Sequence, residues 1–275
     1  MDDTVGGTGW LLDDDTRRAL RLDRIERKLK LGAFEDAVVE AEEMLDDTPD
    51  DADGLILLGD ASLETGDIEV ATAAFEHALR VNGGRSARGL QGLAIARFEL
   101  CDLVGCVEAA REALRLDPSG ADAHFFLGLA LDRLGHTAEA ATSFAAALHL
   151  SPEAYPFPLD LSEDDWQRSV ASAMHALDPE IRRFWSEVPI LLETEPPVAE
   201  LRAANPPISP RVSGLYIGSP PEDDDPWASR PEALRLFTRA LARNATLDDV
   251  VSQIVDTLHA EALTWLGTVA EPSDP

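Results

Sequence analysis

Two side chains near the end of the chain, His259 and Glu261 in the stretch TLHAEALTWLG (257–267), are of the types a metal-dependent hydrolase uses. That chemistry needs a Zn²⁺ ion held by two imidazoles one helical turn apart, each at about 2.0–2.1 Å, and a carboxylate that takes a proton from metal-bound water. The spacing here does not supply it. Four residues on from His259 stands Leu263, and His259 and Glu261, two apart, leave a helix in different directions. Asp256 shares a helix face with His259, an arrangement that a surface ion pair or hydrogen bond explains. Glu271 and Asp274 in the tail offer carboxylates but no second imidazole. His77, His124, His136 and His149 are scattered without ligand spacing, as expected for helix surfaces. The two cysteines, Cys101 and Cys106, make no disulfide scaffold and suit a reducing compartment.

The element carrying His259 and Glu261 reads as a final helix from about Leu247 to Leu266, with Val250, Ile254, Leu258 and Trp265 on its apolar face. Most of what precedes it is repetitive. The segments LKLGAFEDAVVEAEEMLDDTPDD, LETGDIEVATAAFEHALRVNGG, FELCDLVGCVEAAREALRLDPSG and DRLGHTAEAATSFAAALHLSPEA align on Gly32, Gly66, Cys101 and Gly135, spaced 34, 35 and 34 residues apart. Five positions later stand Ala37, Ala71, Cys106 and Ala140, where close helix packing needs a small side chain, and then Ala41, Phe75, Ala110 and Phe144. The preceding segments carry the pairs Leu58-Gly59, Leu93-Ala94 and Leu127-Gly128, and Pro49, Pro118 and Pro152 close three of the units. Both cysteines fall at small-residue positions of the third unit and read as packing residues.

This pattern resembles the tetratricopeptide repeat, a helix–turn–helix unit of about 34 residues. It predicts an all-α solenoid of four repeats over residues 18–154, after an acidic, flexible N-terminus at 1–17. The first repeat keeps Leu22, Ile25 and Leu29 at helical spacing but lacks the aromatic and glycine positions, as a terminal repeat facing solvent does. The resemblance puts a peptide-binding groove on the first helix of each repeat: Asp53, Ile56, Asp60 and Leu63, then Arg88, Gln91, Ile95 and Phe98, then Asp122, Phe125, Leu129 and Asp132. An apolar strip rimmed by carboxylates suits an extended or helical peptide with apolar and basic residues. The family's clamp for a C-terminal carboxylate is not matched, because Ile56 and Asp60 stand where its donors belong. Two occupants remain open for the groove, a partner peptide or the chain's own C-terminal region docked on the repeats.

Pro156 and Pro158 interrupt the helical pattern, so residues 155–163 read as a linker and 164–275 as a second domain. In it, 164–177 and 179–186 predict helices, VPILLET a strand, RVSGLYIG a strand or extended segment, and ALRLF another strand, with the loop GSPPEDDDPWASRPE between the last two. The segments ALDPEIRRFWSEVPILLETEPP, SGLYIG and RLFTRALAR, in that order, resemble the small zincin-like metallopeptidases, which are sometimes fused to tetratricopeptide repeats. The resemblance covers about 164–267 and implies a small α+β zincin-like domain whose ancestral cofactor is zinc. Aligned on Thr257-Leu258 and Leu266-Gly267, the family's HExxHxxG is AEALTWLG here: Ala260 and Thr264 replace the two histidines, and only Glu261 survives. No catalytic residue, metal ligand or cofactor is therefore expected. The alternative, a zinc-dependent metallopeptidase with an unconventional metal site, would need ligands from outside the motif.

Charge narrows the partners. The chain has 52 Asp and Glu against 23 Lys and Arg, a formal net charge of −29, with Lys28 and Lys30 its only lysines. Phosphate-directed nucleic-acid binding needs clustered cations and is excluded as an expectation. The acidic N-terminus lacks the basic region of a signal peptide, and no run approaches the ~20 apolar residues of a membrane span. The reading is a cytoplasmic adaptor or scaffold that binds proteins or peptides, not nucleic acid or membranes.

Overall fold

The computed structural model describes residues 13–220, 229–244 and 246–267. Most of the N-terminal stretch, most of the Pro- and Asp-rich loop, and Glu271 and Asp274 lie outside these residues. Helix boundaries follow local chemistry. Helix α1 (Asp14–Lys30) begins within the stretch expected to be flexible, because the Asp13 side chain accepts the Thr16 N–H at 2.8 Å and Asp14 and Asp15 lie at the positive end of the helix dipole. Helix α2 (Phe34–Asp47) follows, and α3 (Ala52–Thr65) starts where Asp51 accepts the Gly54 N–H at 2.9 Å. It ends at Gly66, whose φ of 86° an L side chain adopts only at a cost. The series continues with α4 (Ile68–Val81), α5 (Ala87–Glu99), α6 (Leu103–Leu116), α7 (Ala121–Arg133) and α8 (Thr137–Leu150).

The four anchor positions are thus helix-ending turns. Gly32, Gly66 and Gly135 have φ of 74°, 86° and 83°, and Cys101 takes the same left-handed conformation at 59°. The small residues that follow, Ala37, Ala71, Cys106 and Ala140, are all buried. A fully buried Phe75 fills the space left by two glycines: a Cβ on Gly59 of α3 would come to 2.6 Å from its ring, and one on Gly92 of α5 to 2.3 Å. Those distances lie inside van der Waals contact, so the ring occupies the place of the absent side chains.

The described residues form two compact units, one on α1–α7 and the other on α8 onward together with Glu99–Cys101. This division falls between Gly135 and His136, inside the fourth repeat. Its second helix, α8, groups with the later elements, where Arg243 stacks over Phe144 at 4.6 Å. Leu159 and Leu161, from the expected linker, pack against the core of the second unit.

That second unit is α+β. Ser162 and Asp165 form a capping box at the start of α9 (Glu163–Ala176), and α10 (Pro179–Trp185) has proline at its first position. Strands β1 (Ile190–Glu193), β2 (Gly214–Ile217) and β3 (Ala233–Phe237) form a sheet in the order β1-β3-β2. Strand β3 runs parallel to β1, with Ile190 opposite Leu234, and antiparallel to β2, with Tyr216 opposite Leu234. Two short helices that the sequence pattern does not predict are α11 (Val198–Ala203), between β1 and β2, and α12 (Thr238–Leu241), directly after β3. A second capping box, Thr246 with Asp249, opens α13 (Leu247–Trp265), which buries Val250, Ile254, Leu258 and Trp265 as its apolar face requires.

Candidate functional site

Two sets of residues require placement: the first-helix surface of the repeats and the motif positions of α13. On the first, a polar ladder links α1, α3, α5 and α7. Arg18 donates to Asp51 at 3.0 Å and to Asp53 at 2.6 Å, and Arg88 donates to Asp60 at 2.6 Å while lying 3.7 Å from Glu26. Gln91 donates to Asp122 at 2.9 Å. These bonds bring the predicted groove residues of the three later helices onto neighbouring faces. Asp53 and Arg88 are exposed, and Leu63, Ile95 and Phe125 are half-buried. Ile56, Phe98 and Leu129 are 5%, 1% and 7% exposed. These three belong to the packing between helices, with Phe98 edge-on to Phe126 at 5.6 Å, and the accessible apolar strip is narrower than predicted. Asp132 is half-buried on α7.

Charge on this surface is shaped by burial. Desolvation pushes the Asp60 carboxyl above its ordinary range despite the Arg88 guanidinium beside it, and Glu64 and Glu26 push the same way. Asp51 differs. Burial raises it too, but the bonds from Arg18 and the Gly54 N–H outweigh that, and its carboxyl sits below the usual range. The sequence pattern did not reveal that Asp53, Asp60 and Asp122 already hold partners within the chain, because those partners lie on neighbouring repeats about 30 residues away.

On α13 the motif positions face in two directions. Ala260 and Thr264 are exposed, and the Thr264 hydroxyl donates to the Ala260 carbonyl at 2.9 Å. Glu261 turns toward the sheet and accepts the Tyr216 backbone N–H of β2 at 3.0 Å. Burial raises its pKa, partly countered by that bond, and burial with the nearby Glu261 charge raises the Tyr216 phenol. One turn earlier, the Thr257 and Ser213 hydroxyls meet at 2.7 Å, and one turn later Trp265 stacks edge-on with Tyr216 at 5.2 Å. A Cβ on Gly214 would come to 2.7 Å from Thr257, so glycine permits the strand's approach to the helix. On another face, the Trp185 indole donates to the Leu258 carbonyl at 2.9 Å.

His259 faces α10 and its preceding turn rather than Asp256: its Nε2 lies 3.8 Å from Asp178. Among the described residues no three His, Cys, Asp or Glu side chains are grouped to hold a metal ion. The donor set at the motif does not fit zinc, since Ala260 has no ligand atom, Thr264 offers a neutral hydroxyl already bonded to backbone, and Glu261 is engaged with β2.

Residues 22–89 and 107–155 match the family model of the tetratricopeptide repeat. Over those residues the helical N-terminal part is similar to tetratricopeptide repeats. Among solved structures, the crystal structure of MamA is 23% identical over 46% of this chain and 74% of that one, with a TM-score of 0.42. A thermophilic tetratricopeptide-repeat protein of Thermus thermophilus is 23% identical over 49% and 74%, with a TM-score of 0.44. YrrB, described as a tetratricopeptide-repeat protein with an unusual peptide-binding site, is 20% identical over 48% and 68%, with a TM-score of 0.42. No curated protein matches the chain. No helix among the described residues is long and apolar enough to cross a membrane.

Proposed function

We propose that the chain is a protein-interaction adaptor. Its array, residues 18–154, holds an extended or helical peptide with apolar and basic residues on the first-helix surface, while residues 164–275 form a zincin-like domain without a working metal centre. The reading rests on the repeat array, whose ladder from Arg18 to Asp122 aligns half-buried Leu63, Ile95 and Phe125 among carboxylates on successive helices. Panning the full chain against a random peptide library would test it. Enriched peptides are expected to contain Lys or Arg beside apolar residues and to bind Ile95→Asp at least about tenfold more weakly, a loss of about 1.4 kcal/mol. Peptides that bind Ile95→Asp and Leu63→Asp as they bind the parent would sink this reading. A library that enriches nothing would favour occupation of the surface by the chain's own C-terminal region.

For the second domain, the ordered resemblance before α13 supports zincin ancestry, and the side chains at 260, 261 and 264 support loss of the peptidase chemistry. Protein purified without chelator is expected to carry substoichiometric zinc, unchanged by His259→Ala or Glu261→Ala. Near one zinc per chain, lost on His259→Ala, would restore the metallopeptidase alternative and make peptide hydrolysis the next assay.

A further inference from the structure

A cleft of about 450 Å³ lies among α2, α3 and α4, lined by Glu42, Leu45, Asp46, Pro49, Leu55, Leu58 and His77. Leu55 and Leu58 project roughly 150° round α3 from Asp53, Ile56, Asp60 and Leu63, so the cleft opens away from the first-helix surface. Leu55 and Leu58 are buried and Leu45 half-buried, whereas Pro49, Glu42 and Asp46, the last two one turn apart on α2, are exposed.

Several carboxylates near the cleft are paired with cations. Glu40 is bound by Arg24 at 2.9 Å, Asp47 by Arg21 at 2.8 Å and Asp50 by His77 at 2.8 Å. Glu42 and Asp46 meet no cation among the described residues. Like charges at i, i+4 repel, and a chain with 23 Lys and Arg for 52 carboxylates has few cations to relieve them. The complement to this cleft is an alkyl stem ending in a positive charge.

We propose that the cleft takes a lysine or arginine side chain of a partner protein, its methylenes against Leu45, Pro49, Leu55 and Leu58 and its cationic head between Glu42 and Asp46. The site is separate from the first-helix surface and does not depend on it.

The probe is a fluorescein-labelled Leu-Lys-Leu-Lys-Leu amide, with a norleucine-for-lysine peptide as its control, read by anisotropy on the full chain. Binding at or below about 1 mM is expected. It should weaken at least about tenfold in the double variant Glu42→Gln, Asp46→Asn and fall in about 0.5 M salt. Both substitutions are at exposed positions and relieve repulsion, so the variant should fold; an unchanged far-ultraviolet spectrum and melting temperature verify this. Absence of binding to the parent, equal binding of the norleucine peptide, or unchanged binding in the double variant would each overturn the proposal.

Discussion

The repeat array and the C-terminal unit differ in what brings their elements into closest contact. In the array the decisive residues are those with a small side chain or none: Gly59 and Gly92 give way to one phenylalanine ring, and Ala37, Ala71, Cys106 and Ala140 let helices approach. In the C-terminal unit the decisive residues on α13 carry polar groups, Thr257 and Glu261 toward β2, and Trp185 reaches a helix carbonyl. Packing by absence can repeat every 34 residues, because any neighbour with a ring of the right size fits. Fastening by specific bonds needs its own donor and acceptor at every joint, as the ladder from Arg18 to Asp122 also shows.

The contrast can be broken in order of expected effect. Trp185→Ala removes a fully buried indole and its bond to Leu258, and should lower unfolding free energy by about 3–5 kcal/mol in denaturant titration. A loss below about 1 kcal/mol would show that α10 contributes little to the unit. Gly92→Ala tests the array. Alanine favours helix by about 1 kcal/mol, but the added carbon strikes the Phe75 ring, a strain of about 1–3 kcal/mol, and a net loss is expected. A rise in melting temperature would mean that the ring yields freely.

Glu261→Gln has the smallest expected effect, and its pH dependence sharpens the comparison. The folded-state pKa of Glu261 is raised, first by burial, so the carboxyl's favourable contribution is complete below its unfolded pKa and lost as pH rises through the folded value. Glutamine does not titrate. Relative to the variant, the parent should therefore gain stability as pH falls from 7 toward 4, and a difference that is flat with pH would dissociate Glu261 from this role.

Legibility in the sequence divides along the same line. Repeats announce themselves through periodic small residues, and the left-handed turns at Gly32, Gly66 and Gly135 follow from the residue type. The strand ALRLF and the span of α13 were readable because a short apolar run and helical apolar spacing are local signals. The partnership of Glu261 with the Tyr216 N–H was not, since it joins residues 45 apart through a backbone group that leaves no mark in composition. Asp178 as the neighbour of His259 was hidden for the same reason, and Asp256, on the same helix, was the local guess. Groove residues were half legible: helical spacing placed them on one face, but only neighbouring helices decide that Ile56, Phe98 and Leu129 are covered.

Cys101 stands where the other turns have glycine, in the left-handed region and fully buried, with its thiol directed to the Ile208 carbonyl at 3.2 Å. Its sulfur is shielded from reagents while the turn is closed, and Cys106 is buried as well. The rate at which an alkylating reagent captures Cys101 is therefore a clock for the opening of that turn, carried by the natural sequence at the joint of the third repeat.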